Sequence, residues 1–198
     1  MQLHPNHRSM WMAAPSPVLA RQQKYWLFRP DALTAGLRQL GQFNLRVINE
    51  QVDGLQPAEA WMLQREARSP IWVREIMMSI NGVDCVFARS FTPLQASHGL
   101  WQGMRRLRTR PLADMLYHNP QIIRSPFFAC RLNEQQPLYG TARRIFGAHA
   151  PSARQLLARC SVFWRSGQPL LVAECFLPEF WPLAAKSAYE QGLDPFRI

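Results

Sequence analysis

Apolar residues take every second place in three stretches of the chain. They are Trp72, Ile76, Met78 and Ile80 in the first, Val83, Cys85, Phe87 and Phe91 in the second, and Leu170, Val172 and Phe176 in the third. A period of two is that of a strand with one greasy face. The first two stretches flank Asn81-Gly82, a pair that accepts the positive φ angles of a two-residue turn, so they are predicted to form a hairpin in which Val83, Cys85, Phe87, Arg89 and Phe91 share a side. A second hairpin is predicted from 156–165 and 169–177 around Ser166-Gly167-Gln168. Residues 43–52 alternate as a further strand, and 120–132 are strand-like. Helical signals are shorter: Leu33, Leu37 and Leu40 share a face behind an Asp31 N-cap, 95–118 are helix or loop with Pro111 in a first helical turn, and 182–191 are helical. Residues 1–24, 53–69 and 133–155 carry turn residues without a period, and are predicted to be a surface extension, a connector and an excursion. About six strands joined mainly by hairpins predict an α+β fold: a single antiparallel β-sheet, covered on one face, with flanking helices. One domain is expected over 1–198, with an N-terminal extension at 1–24 and a tail at 179–198.

Three charges interrupt the apolar sets: Arg74, Arg89 and Glu174. Each points the same way as its greasy neighbours, and a buried charge needs a partner or a ligand. An inward guanidinium and an inward carboxylate in a dry pocket suit a small anion that gains or loses a proton. A structural Arg74–Glu174 ion pair between two strands accounts for the same pattern.

Composition narrows the chemistry. The chain has 198 residues, 47% hydrophobic and 18% charged, which excludes a disordered chain and allows a sizeable core. Its net charge of +10 favours anionic partners: nucleic acid, acidic membrane, or small carboxylates and phosphates. Arg105, Arg106, Arg108 and Arg110 form a solvated face or an anion-attracting rim; the aromatic residues lie inside apolar strands rather than at stacking positions, which argues against nucleic acid. Cys85, Cys130, Cys160 and Cys175 make no C-x-x-C pair, so buried free thiols in a reducing compartment are expected and a zinc site is not. No glycine-rich phosphate loop, G-x-S-x-G or H-E-x-x-H motif is present, and the five histidines are scattered. No stretch reaches the ~20 apolar residues of a membrane span and no signal peptide is visible, so a cytoplasmic protein is expected.

Trp72-Val73-Arg74-Glu75-Ile76, then Asn81-Gly82, then Ala88-Arg89-Ser90 resembles the first signature of the chorismate pyruvate-lyase family, W-x-R-E-I, D/N-G and G/A-R-T/S. Pro111-Leu112 with Tyr117 resembles the family's P-L-G-x-x-L-F, and 166–178 resembles its S-G-K-P-L-L-x-x-E-x-F-L-P ending. Order and spacing hold over roughly residues 25–178. The resemblance implies a chorismate lyase-like fold and a cofactor-free lyase that converts chorismate to 4-hydroxybenzoate and pyruvate, the entry step of ubiquinone synthesis. It implies that Arg74 binds the product carboxylate, that Glu174 meets the phenol hydroxyl, and that Leu33 and Leu112 add contacts, largely through backbone N–H groups. Arg89 is expected as a second cation for the pyruvyl carboxylate, and Glu174, in apolar surroundings, as the general acid/base. Leu33 stands where the family usually has Met, Ala113 replaces a glycine, and about a dozen extra residues fall in 133–155. The expected partners are chorismate and 4-hydroxybenzoate, with no metal, no nucleic acid and no stable membrane insertion; a monomer is the simplest expectation. An alternative is a non-catalytic module that binds aromatic acids, related to effector domains of transcription regulators; substrate turnover separates the two.

Overall fold

The structure, a computed structural model, describes residues 11–117 and 119–190, with side chains to Lys186. Its centre is the Asn81-Gly82 hairpin. Both turn residues have positive φ, 51° and 81°, and the Asn81 side chain accepts from the Gln42 N–H at 2.8 Å. The hairpin joins β2 (Pro70–Ile80) to β3 (Val83–Pro93), and the second predicted hairpin joins β6 (Leu157–Arg165) to β7 (Gln168–Phe176). With β1 (Phe43–Gly54), β4 (Ile123–Arg124) and β5 (Phe128–Arg131), they form a seven-stranded antiparallel sheet in the order β1-β2-β3-β7-β6-β4. The short β5 also pairs with β6. Histidines 4, 7 and 118 lie outside the described residues.

Helices cover both faces of this sheet, not one as the alternation suggested. On the front, α1 (Arg21–Phe28), α2 (Leu33–Gln39) and α7 (Phe180–Glu190) bury Trp26, Leu27, Leu33, Leu37, Phe180 and Ala184 against Ile76, Met78, Ala88 and Phe176. A lid over 94–117, containing α4 (Leu94–His98) and α5 (Ala113–Leu116), closes the rest of the front with its own cluster around Trp101, Met104 and Leu112. On the back, α3 (Pro57–Leu63) and α6 (Pro137–Phe146) pack on Val73, Met77, Phe87 and Leu171. Residues 53–69 and 133–155 therefore build as well as connect: each supplies a helix that starts on a proline. Of the predicted extension, Arg21 onward belongs to α1, and Met12 bridges to Ala129.

Two bulges set which charges share a face. In the hairpin Ile80 pairs with Val83 and Ser79 with Asp84, but Met78 pairs with Val86, leaving Cys85 as an extra residue in β3. Beyond it Glu75, not Arg74, stands opposite Arg89. In β1, Ile48 is the extra residue between Val47 and Asn49, which brings Glu50 opposite Arg74. A bulge reverses the alternation past it. Cys85 therefore joins the front cluster, whereas Phe87 and Phe91 join the back one.

Candidate active site

The front face carries a partly open cavity of about 490 Å³, counting the space it shares with solvent. Its floor is the middle of the sheet: Ile76 and Met78 from β2, Ala88 and Ser90 from β3, Val172 and Glu174 from β7, Arg159, Ser161 and Phe163 from β6. Its roof is the start of α2, with Leu33 and Thr34, and the α5 segment, with Leu112, Leu116 and Tyr117. Leu33 opens its helix, and first-turn N–H groups have no acceptor within their own helix. The predicted residues Leu33, Leu112 and Glu174 thus meet around one apolar space.

Glu174 is not isolated there. Its carboxylate accepts from Arg159 Nε at 2.6 Å, and Arg159 Nη1 donates to the backbone oxygens of Trp26 and Arg29 at 3.2 and 3.3 Å. Arg159 is 1% exposed, with its guanidinium 4.3 Å over the Phe127 ring. A charge-assisted bond of this length fixes the Glu174 side chain. The expected apolar surroundings are therefore corrected: one wall is greasy and the other is a cation. Arg159 escaped the sequence reading, although Leu157, Arg159, Ser161 and Phe163 carry the signal that exposed Arg74. Tyr117 hangs at the rim with its ring 5.9 Å from that of Phe163. Burial, and then the Glu174 carboxylate, push its phenol above the ordinary value.

Arg74 adjoins the cavity from β2, paired across the ladder with Ser90. It is 2% exposed. Its Nε lies 3.2 Å from Glu50, without hydrogen-bond alignment, and its Nη2 donates to the backbone oxygens of Arg108 and Arg110 in the lid. Burial holds its guanidinium below the ordinary arginine value, against the pull of Glu50. Strand spacing puts the Arg74 and Glu174 Cα atoms about 12 Å apart, two strands over and two residues along. The two charges do not form the direct ion pair that the alternation allowed; each has its own partner.

Arg89 is corrected outright. The Cys85 bulge turns it to the back, where it donates to Glu59 at 2.6 Å, lies 3.7 Å from Glu75 and 3.8 Å from Asp53, and covers the Phe91 ring at 4.6 Å. Glu75 is held in turn by Arg144 and by Thr141 Oγ1, the latter at 3.2 Å. This network fastens α3 and α6 to the sheet and is separated from the front cavity by the sheet itself.

The lid is basic. Arg105 lies 3.8 Å over the Trp72 ring, and Arg106, Arg108 and Arg110 are exposed. All four cysteines are buried and free, with burial pushing Cys85 up to about 11 and Cys130 up to about 12; such thiols are poor nucleophiles. Among the described residues no three His, Cys, Asp or Glu side chains gather as a metal site.

The chain matches the family model described as chorismate lyase over residues 6–186. It is 59% identical over 174 residues to a protein of Bordetella pertussis named "Probable chorismate pyruvate-lyase", covering 88% of this chain and 91% of that one. It is 39% identical over 183 residues to "Probable chorismate pyruvate-lyase 1" of Pseudomonas fluorescens, covering 92% and 95%. Among solved structures, the effector domain of PhnF from Mycobacterium smegmatis superposes with a TM-score of 0.50 at 12% identity, over 75% of this chain and 90% of that one, a likeness of fold.

Proposed function

The chain belongs to the chorismate lyase family, and from that premise we propose that it removes the pyruvyl group of chorismate in the front cavity, leaving 4-hydroxybenzoate. The reaction is redox-neutral. The C3–O ether bond breaks, the C4 proton leaves, and its electron pair completes the aromatic ring. The departing enolate takes a proton on its methylene carbon and becomes pyruvate. Aromatisation drives the reaction, so the protein has to hold a dianion, shield it and move one proton.

The observation that carries this reading is the arrangement of Glu174 and Arg74 on one sheet face, two strands apart, with an apolar cavity beside them. Arg74 grips the ring carboxylate, for which a planar guanidinium is suited. To do so it exchanges the Arg108 and Arg110 carbonyls for the substrate, which couples binding to the lid. Glu174, steered by Arg159, takes the proton near C4 and faces the nascent hydroxyl. The first-turn N–H groups at Leu33 and those near Leu112 bind the anion from the roof, and Arg159, rather than Arg89, is the second cation near the substrate. A dry cavity strengthens every one of these contacts. The whole chain acts as one domain in this reading.

We place the reaction at the head of ubiquinone synthesis and in the cytoplasm. Four buried free thiols suit a reducing compartment, and among the described residues no helix is long and apolar enough to cross a membrane.

The test is to mix purified protein with chorismate and follow 4-hydroxybenzoate and pyruvate together. Equimolar release of both is expected, with kcat for Glu174→Gln lower by about 10²- to 10⁴-fold and kcat/KM for Arg74→Ala lower by about 10- to 100-fold. Absence of turnover, with 4-hydroxybenzoate still stabilising the fold, would replace the lyase with a binding module.

A further inference from the structure

Strand pairing arranges the floor of the front cavity as a grid. One row reads Arg74, Ser90, Val172 and Ser161 across β2, β3, β7 and β6, and the next reads Ile76, Ala88, Glu174 and Arg159. All of these but Arg74 line the cavity. The alternate residues of β7, Leu171 and Ala173, face a separate cleft on the back of the sheet. A line from Arg74 to Glu174 crosses the grid on its diagonal and divides the floor into two flanks. Ile76, Met78 and Ala88 make one flank, which is wholly apolar. The other carries Ser90 beside Arg74, then Val172 and Ser161 toward Glu174.

Both serine hydroxyls are unengaged. Ser90 is 5% exposed and Ser161 1%. Neither Oγ has a hydrogen-bond partner among the described residues, and neither is sealed in by its neighbours as the unpartnered Trp72 Nε1 is, so each opens onto the cavity that both residues line. Thr92, two residues along β3 from Ser90, shows the usual arrangement: its hydroxyl donates to the Pro169 carbonyl at 2.6 Å. A buried hydroxyl without a partner is costly, and native structures leave few of them. Ser161 has a cation close by, because Arg159 stands two residues away on the same face of β6. A hydroxyl donor beside a guanidinium suits a carboxylate.

The shape of the substrate separates the two serines. On the proposed reading, on which this inference rests, the ring carboxylate meets Arg74 and C4 lies at Glu174. Those ring positions are para to each other, so the ring lies along the diagonal. The pyruvyl ether is on C3, next to C4, and has to leave the ring over one flank near the Glu174 end. We infer that it leaves over Val172 toward Ser161, and that Ser161 is a specificity-determining residue whose hydroxyl donates to the pyruvyl carboxylate. The opposite flank of the floor offers that carboxylate no donor. The methylene group rests against Val172 and the Phe163 ring, which line this side. Arg159 adds its positive field while keeping its bond to Glu174. Ser90, at the other end of the diagonal, adjoins the ring carboxylate, which substrate and product share.

The probes are 4-hydroxybenzoate and 3-carboxymethoxy-4-hydroxybenzoate, titrated calorimetrically. The second carries an ether-linked carboxylate beside the phenol and, being aromatic already, does not turn over. Ser161→Ala is expected to weaken the diacid by about tenfold or more, as loss of a hydrogen bond to a charged group does, and to leave 4-hydroxybenzoate within about twofold. Ser90→Ala, the same change in the same row, is expected to move both probes by one factor. Failure of the wild type to bind the diacid, a diacid affinity that Ser161→Ala lowers no more than that of 4-hydroxybenzoate, or a diacid-specific loss in Ser90→Ala instead would each overturn the subsite. The titrations do not depend on turnover. A protein that shows this split yet releases no pyruvate from chorismate refutes the lyase and upholds the subsite, whereas turnover without the split refutes the subsite alone.

Discussion

Arg159 holds Glu174 by one bond and the α1–α2 connection by two others. It touches the acid/base rather than the reacting ring, which makes it a positioning residue. Arg159→Met leaves a partly buried carboxylate unpaired, and removing one partner of such a pair costs about 3–5 kcal/mol. Chemical denaturation should register that loss, and kcat should fall more than KM rises; Arg159→Lys should recover part of kcat by restoring the charge. Glu59 gives a pH signature instead. Its folded carboxyl titrates above the ordinary 4.5, so between those two values the folded state binds the extra proton and wild-type stability declines as pH rises. Glu59→Gln lacks that decline. The stability difference between variant and wild type, measured by urea melts across this window, should move in the variant's favour as pH rises. At this scale the sequence disclosed Arg74 and Glu174 because each is the lone charge in a run of large apolar residues. Arg159 shares its run with Ser161 and a second arginine at 165, which hid the same signal. Glu59 sits in a seven-residue helix, too short for a period to emerge.

The lid is the element on which turnover is expected to depend in the proposed reaction. It is fastened to the sheet by Arg105 stacked on Trp72, by Trp101 Nε1 donating to Gln168 at 3.2 Å, and by Arg74 reaching up to the Arg108 and Arg110 carbonyls. A product buried beneath such a cover leaves only when the cover moves, so release is expected to limit kcat. Arg105→Ala removes one fastening, for which cation–π contacts are worth about 0.5–2 kcal/mol. Stopped-flow release of 4-hydroxybenzoate should then quicken by about two- to thirtyfold; an unchanged rate would place the barrier elsewhere. Both hairpins were legible in advance because turn chemistry and alternation agree at 81–82 and 166–168. The partners of those hairpins were less so. The helix of 137–146 packs through Leu138, Tyr139 and Ala142, but its arginines and its proline start blur the spacing. A single-residue bulge has no compositional mark at all, which is why Arg89 was assigned to the wrong side.

The molecule as a whole is a cation with a net charge of +10, and its proposed substrate is a dianion. Arg106, Arg108 and Arg110 stand exposed on the lid, near the cavity they help to cover. Attraction of this kind acts on the approach and not on the chemistry. Raising ionic strength from about 0.01 to 0.15 M shortens the screening length from about 30 to 8 Å. Steady-state kinetics should therefore show kcat/KM for chorismate falling several-fold while kcat holds. The extra residue at Cys85 has a consequence of another kind. A substitution in this sheet edits one pocket and leaves the other alone, because neighbours along a strand leave on opposite sides. Were Cys85 to pair with Met78 instead of standing out of the ladder, Arg89 would turn through the sheet into line with Arg74, leaving Glu59 without its cation and Glu75 with Arg144 alone. The hairpin is thus governed by its pairing rather than by its spelling: a slip of one place along β3 is a transfer of charge from one compartment to the other.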